Sequence, residues 1–216
     1  MTHPTLCILD DEHGALAAML RSILMLLDQH RRQGSLPDFG SLRAMLFYVD
    51  EFPEQRHHRK ESALLFPKLR QRAPQSVALL DRLDADHAQG EQAIRTLEHA
   101  LTAFELMGES RRSEFELAVR RYVDFYLTHM RVEEQEVMPL AEQLLTVEDW
   151  VELDTAFAAN RDPFTSHEPE AEYRALFTRI VNAVPAPIGL GSASTFGAAS
   201  AGQADAAHVD RQGVAR

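Results

Sequence analysis

Apolar residues recur along this chain at alternating steps of three and four, the spacing that lines one face of an α-helix. A first helix is predicted from about Thr5 to Arg31, with the seam Leu6, Leu9, His13, Leu16, Leu20, Ile23 and Leu27. Gly34 and Pro37 break the pattern after it. A second runs from about Ser41 to Leu69 through Leu42, Leu46, Val49, His57, Glu61 and Leu64, and Pro53 and Pro67 should kink or shorten it. A third starts at Pro74, a first-turn proline, and follows Leu80, Leu83, His87, Glu91, Ile94 and Leu101 to a stop at Gly108. A fourth spans Ser110 to Leu145 through Phe115, Val119, Tyr122, Tyr126, His129, Glu133 and Leu140. Thr146 and Asp149 have the spacing of a capping box for a short fifth helix, docked by Trp150 and Phe157, and a sixth covers roughly Glu172 to Val184.

Strand patterning is weak throughout. Four long helices with short connections predict an all-α fold, an up-down antiparallel four-helix bundle over residues 1–145. A helical extension follows over 146–184. From 185 to 216 the sequence turns to Gly, Ala and Ser and is expected to be a disordered tail.

The inward positions of an ordinary bundle are Leu, Ile, Val, Ala and Phe. Here every long seam carries a histidine: His13, His57, His87 and His129. Three of them have a glutamate four residues later, Glu61, Glu91 and Glu133, one turn along the same face. Unpaired burial of such carboxylates would cost several kcal/mol each. Metal ions offset that cost by binding imidazole nitrogen and carboxylate oxygen together.

The pattern is also duplicated. His57, Glu61 and Pro67 share their offsets with His129, Glu133 and Pro139, and an apolar pair, Leu65-Phe66 or Val137-Met138, precedes each proline. Each half of the chain thus offers a lone histidine and then a His-x-x-x-Glu. Two halves about a pseudo-twofold axis make a site for two metals, with Glu61 and Glu133 as the natural bridges. His58 lies roughly 100° round the helix from His57, facing a neighbouring helix or solvent, and is an alternative ligand. Glu134 reads as a solvated residue or a supporting partner, and Tyr126 as a core tyrosine or a hydrogen-bond donor to the site.

Composition narrows the partners. Acids outnumber bases, 33 to 22, for a formal charge of −11, which argues against nucleic acid and anionic membrane. One cysteine, Cys7, allows no intrachain disulfide, and the N-terminus has no basic leader region. A cytoplasmic protein is the simplest reading. No HExxH, Walker loop, GxGxxG or Ser-His-Asp pattern gives a hydrolase or nucleotide reading a foothold.

Asp11-Glu12-His13, His57-His58-Arg59-Lys60-Glu61 with Leu65-Phe66-Pro67, and His129 to Glu133-Glu134 with Pro139 resemble the hemerythrin-like, or HHE cation-binding, family. The resemblance covers roughly residues 5 to 145. It implies a non-haem centre of two iron ions with an oxo or hydroxo bridge, His13, His57, His87 and His129 as terminal ligands, and Glu61 and Glu133 as bridges. Oxygen carriers of the family have a third-helix HxxxH and a fourth-helix HxxxxD; this chain has His87 with Glu91, and Glu133 at the shorter offset. Glu91 or His58 would supply the missing position, and reversible oxygen carriage is in doubt.

The expected function is a di-iron protein that binds or senses dioxygen, nitric oxide or peroxide in a redox-stress response. Peroxide removal and iron donation for repair are the alternatives, and catalytic turnover would need an external reductase. A ferritin-like Glu-x-x-His reading fits Glu54 with His57 but finds Asp84 before His87 and Tyr126 before His129. A closed zinc site takes four ligands, fewer than converge here.

Overall fold

The computed structural model describes residues 3–160, 162–165 and 170–183. Helix α1 is Pro4–Gln33, opened by a proline whose missing N–H costs nothing in the first turn. Gly34 ends it in the left-handed region (φ 61°), where its N–H caps the carbonyl of Arg31. Helix α2 occupies 39–72, capped by the Asp38 carboxylate on the Gly40 N–H. Helix α3 is Val77–Met107, and α4 occupies 109–144. Helix α5 is Val147–Phe157, started by the expected Thr146/Asp149 capping box, and α6 is Arg174–Ala183. Among the described residues there are no strands, and no helix is long and apolar enough to cross a membrane. The predicted tail, 185–216, lies outside the described residues.

The apolar core comes in two parts, and the order in which each helix meets them fixes the topology. Helix α1 contributes Leu6 and Leu9 to one part and then Leu16 to Leu27 to the other. Helix α2 runs the opposite way, from Leu42 to Phe52 in the second part to Leu65, Phe66 and Leu69 in the first. Helix α3 repeats the order of α1, from Leu83 to Ile94, and α4 that of α2, from Tyr126 to Val137. This is an up-down-up-down bundle. In α1, α2 and α3 the switch falls at the histidines, and in α4 just after His129, past Met130. The polar side chains therefore form one layer across the bundle, with apolar packing above and below. Trp150, Leu153 and Phe157 of α5 close the first part of the core, while Phe177 and Ile180 of α6 join the second.

Pro53 and Pro67 do not shorten α2. The helix passes through them in π-helical runs at Asp50–His57 and Glu61–Leu65, and α4 has a matching run at Glu133–Val137. A proline has no N–H for the i−4 carbonyl and its ring crowds that carbonyl. Widening the ladder to i→i+5 relieves both, so the Glu61 and Glu133 carbonyls accept from Phe66 and Met138. The wider turns also shift the seam. Leu65 and Ala141 are buried where the α-helical spacing points to Leu64 and Leu140, which are half-buried.

Candidate metal centre

His13, His57, Glu61, His87, His129 and Glu133 come together in the polar layer, each at most 7% exposed. The two glutamates sit between the histidines. Glu61 lies 3.4 Å from His57 Nε2 and 3.5 Å from His87 Nε2. Glu133 lies 3.4 Å from His13 Nε2, 3.6 Å from His87 Nε2 and 3.3 Å from His129 Nε2. The π turns that follow Glu61 and Glu133 give both the same local backbone, so the sequence duplication is a structural one.

Glu91 is the correction. Its side chain is 37% exposed and pairs with Arg95 at 2.7 Å, on the outside of α3. The inward line of α3 runs His87, Gly90, Ile94, Leu97, Leu101 and not through position 91. Steps of three and four fit either line. The inward position goes to the residue without a side chain, since the Tyr126 hydroxyl occupies the space against Gly90: a Cβ there would lie 1.6 Å from it.

His58 is buried in the layer where Glu91 is not. It is 2% exposed, and its ring stacks on His87 with centroids 4.4 Å apart. Ligand atoms of His58, His87 and His129 lie within 4.8 Å of one another, and so do those of His13, His57 and Glu61 and of Glu61, His87 and Glu133. The angle between adjacent residues explains how both histidines of the pair face inward. A helix in a bundle has two neighbours, and His57 turns toward His13 of α1 (centroids 5.0 Å) while His58 turns toward α3.

The far nitrogens are held as well. Glu134 is 3.2 Å from His13 Nδ1, Glu12 2.7 Å from His57 Nδ1, Glu54 3.2 Å from His58 Nδ1, and Ser62 Oγ 2.9 Å from His87 Nδ1. His129 Nδ1 is the exception: Asp86 stands 3.5 Å away and the nitrogen has no hydrogen bond. Glu54 also accepts from the hydroxyls of Tyr122 and Tyr126, which gives Tyr126 its place beside the layer. A carboxylate at Nδ1 selects the Nδ1–H tautomer and leaves the Nε2 lone pair pointing inward.

Those inward atoms lack partners. His13 Nε2, His57 Nε2, His58 Nε2, Glu61 Oε2 and both Glu133 oxygens are buried without a hydrogen bond, and His87 Nε2 faces His129 Nε2 at 3.0 Å. Buried lone pairs converging on each other are costly unless a cation joins them. The donor set, imidazole nitrogen with carboxylate oxygen, suits a first-row transition metal.

The protein's own electrostatics show the same tension. Burial disfavours a charged His13, yet Glu133 and Glu134 outweigh it and push the ring up to about 9. His57 behaves likewise, raised well above the usual range against its burial by Glu61 and Glu12. His58 is driven well below, by burial and by the neighbouring rings of His87, His57 and His129. Burial works to raise Glu133, but the surrounding histidines hold it well below the usual carboxylate range.

A small cavity adjoins one side of the layer, lined by Glu12, His13, Leu16, Phe52, Pro53, His57 and Asp162. No curated protein matches the chain. Residues 6–141, nearly all of the bundle, match the model of the hemerythrin HHE cation-binding domain, and the chain belongs to that metal-binding family.

Proposed function

We propose that the polar layer holds two iron ions and that the protein binds or senses a small oxidant, dioxygen, nitric oxide or peroxide, in redox stress. The observation that carries the reading is the set of buried, unpartnered Nε2 and carboxylate atoms converging from four helices. His13 and His57 would hold one ion, His58, His87 and His129 the other, with Glu61 and Glu133 between them. Bound iron supplies an electron donor and a coordination position for the small molecule.

The remaining work is done by the chain. Glu12, Glu54 and Glu134 keep their histidines oriented and basic. The apolar cores on both sides keep bulk water from the layer. The two-histidine side has one nitrogen fewer and borders the cavity, which favours it as the place where a diatomic ligand enters. The cavity is too small for a large organic substrate, which favours a gas or peroxide.

Rapid mixing of anaerobically reduced, iron-loaded protein with dioxygen, nitric oxide or hydrogen peroxide tests the reading. An optical change that saturates with one of the three is expected. Spectra unmoved by all three would end it.

A further inference from the structure

The four-helix bundle does not complete its own metal layer. Asn160 lies in the turn after α5, beyond the family match at 6–141, and is 2% exposed. Its Nδ2 donates to Glu12 Oε2 at 2.8 Å, the same oxygen that stands 2.7 Å from His57 Nδ1. Its Oδ1 accepts from the Lys60 ammonium, which also donates to the Ala156 carbonyl at 2.8 Å.

This arrangement fixes the amide orientation on chemical grounds. An ammonium has donors only, so the amide atom facing Lys60 must be the oxygen, and the amino group must face Glu12. Glu12 is therefore held as an acceptor on two sides. A carboxylate oxygen so placed requires a proton on His57 Nδ1 and leaves Nε2 as the ligand atom. The partners of the histidines, Glu12, Glu134, Glu54 and Ser62, all come from within the bundle, but the support of Glu12 comes from outside it. Thr5 anchors the segment nearby, bonding through its N–H to Asp154 of α5 at 2.9 Å.

We propose that Asn160 is a positioning residue for the metal centre, acting through Glu12 to set how tightly the His57 side holds its ion. The Asn160 side chain, in the turn after α5, is then a working part of the centre. This inference rests on the two-ion reading above.

The test uses the full chain with Zn(II) as probe. A chromophoric chelator in competition gives the two stepwise affinities, and nitrogen–proton NMR of the Zn(II)-loaded protein follows the His57 Nδ1–H. Asn160→Ala should weaken one step by up to about 10-fold, the low end of the range for loss of a group bonded to the ligand itself, and leave the other in place. The His57 Nδ1–H resonance should shift and exchange faster. Leu153→Val, which thins the packing of the same helix and leaves those bonds intact, should lower Tm with both affinities kept.

An Asn160→Ala protein with wild-type affinities and an unmoved His57 resonance would overturn the inference alone. Equal losses in Asn160→Ala and Leu153→Val would also overturn it, as a general packing effect. A wild type that takes up fewer than two Zn(II) ions would overturn the two-ion reading and the inference together.

Discussion

If the layer holds two ions as proposed, replacing His58 should cost the protein one of them, whereas replacing Glu91 should cost it none. His58 Nε2 is buried without a partner, within 4.8 Å of the ligand atoms of His87 and His129. His58→Ala removes one of three nitrogens from that ion. The size of the effect follows from linkage: an ion present at 100 times its Kd stabilises the fold by about 2.7 kcal/mol. At 2–4 °C per kcal/mol for a chain of this size, its loss lowers the Tm of iron-loaded protein by roughly 5–11 °C. The ring's packing and its bond to Glu54 are lost with or without metal, so the Tm change in iron-loaded protein beyond that in metal-free protein reads the ion. Glu91 makes a half-exposed ion pair with Arg95, so Glu91→Ala should cost under about 1 kcal/mol with iron content unchanged. Metal analysis and calorimetry with and without iron are the assays. Full iron loading of His58→Ala, or iron lost from Glu91→Ala, would refute the assignment.

Gly90→Ala, which at an open helical site would gain about 1 kcal/mol, should instead destabilise by about 1–3 kcal/mol in urea unfolding, because the new Cβ meets Tyr126 Oη and Glu54 Oε1. Unchanged or raised stability would mean that Tyr126 moves aside freely. Asp162, which accepts from the Tyr48 hydroxyl, is pushed up from 3.8 to about 6 by burial against the help of that bond. A raised carboxyl stabilises the fold fully below pH 3.8, and that contribution is lost as pH rises through about 6. Metal-free Asp162→Asn should therefore match wild type near pH 4 and exceed it by up to about 3 kcal/mol at pH 7. A difference that does not vary with pH between 4 and 7 would contradict this.

The four long helices, their breaks and the capping box at Thr146 were legible because each rests on local signals: periodicity, Gly34, Pro74, Gly108 and the Thr-x-x-Asp spacing. The polar layer was legible because a histidine recurs in each seam, and its doubling because two prolines follow at the same offset. What local signals do not carry is the exact angle at which a seam meets its neighbours. Glu91 and Gly90 both continue the line from His87, and the close approach of Tyr126 and Glu54 from other helices leaves room there for a glycine alone. His58 looked off-seam because a seam was drawn toward one neighbour when α2 has two. The π turns had a signal, prolines inside a continuing helix, but proline alone does not say whether a helix widens or stops. Asn160 had none, since a lone asparagine after a short helix carries no spacing relative to Glu12.

The central claim is that two iron ions share Glu61 and Glu133. The most direct measurement is iron per chain after anaerobic loading with Fe(II), read with the near-ultraviolet spectrum of the oxidised protein, for wild type, Glu61→Ala and Glu133→Ala. Two iron ions and strong near-ultraviolet absorption are expected for wild type, with half the iron or more lost in each variant because either glutamate touches histidines of both sides. One iron ion or none in wild type, or full loading in both variants, would contradict it.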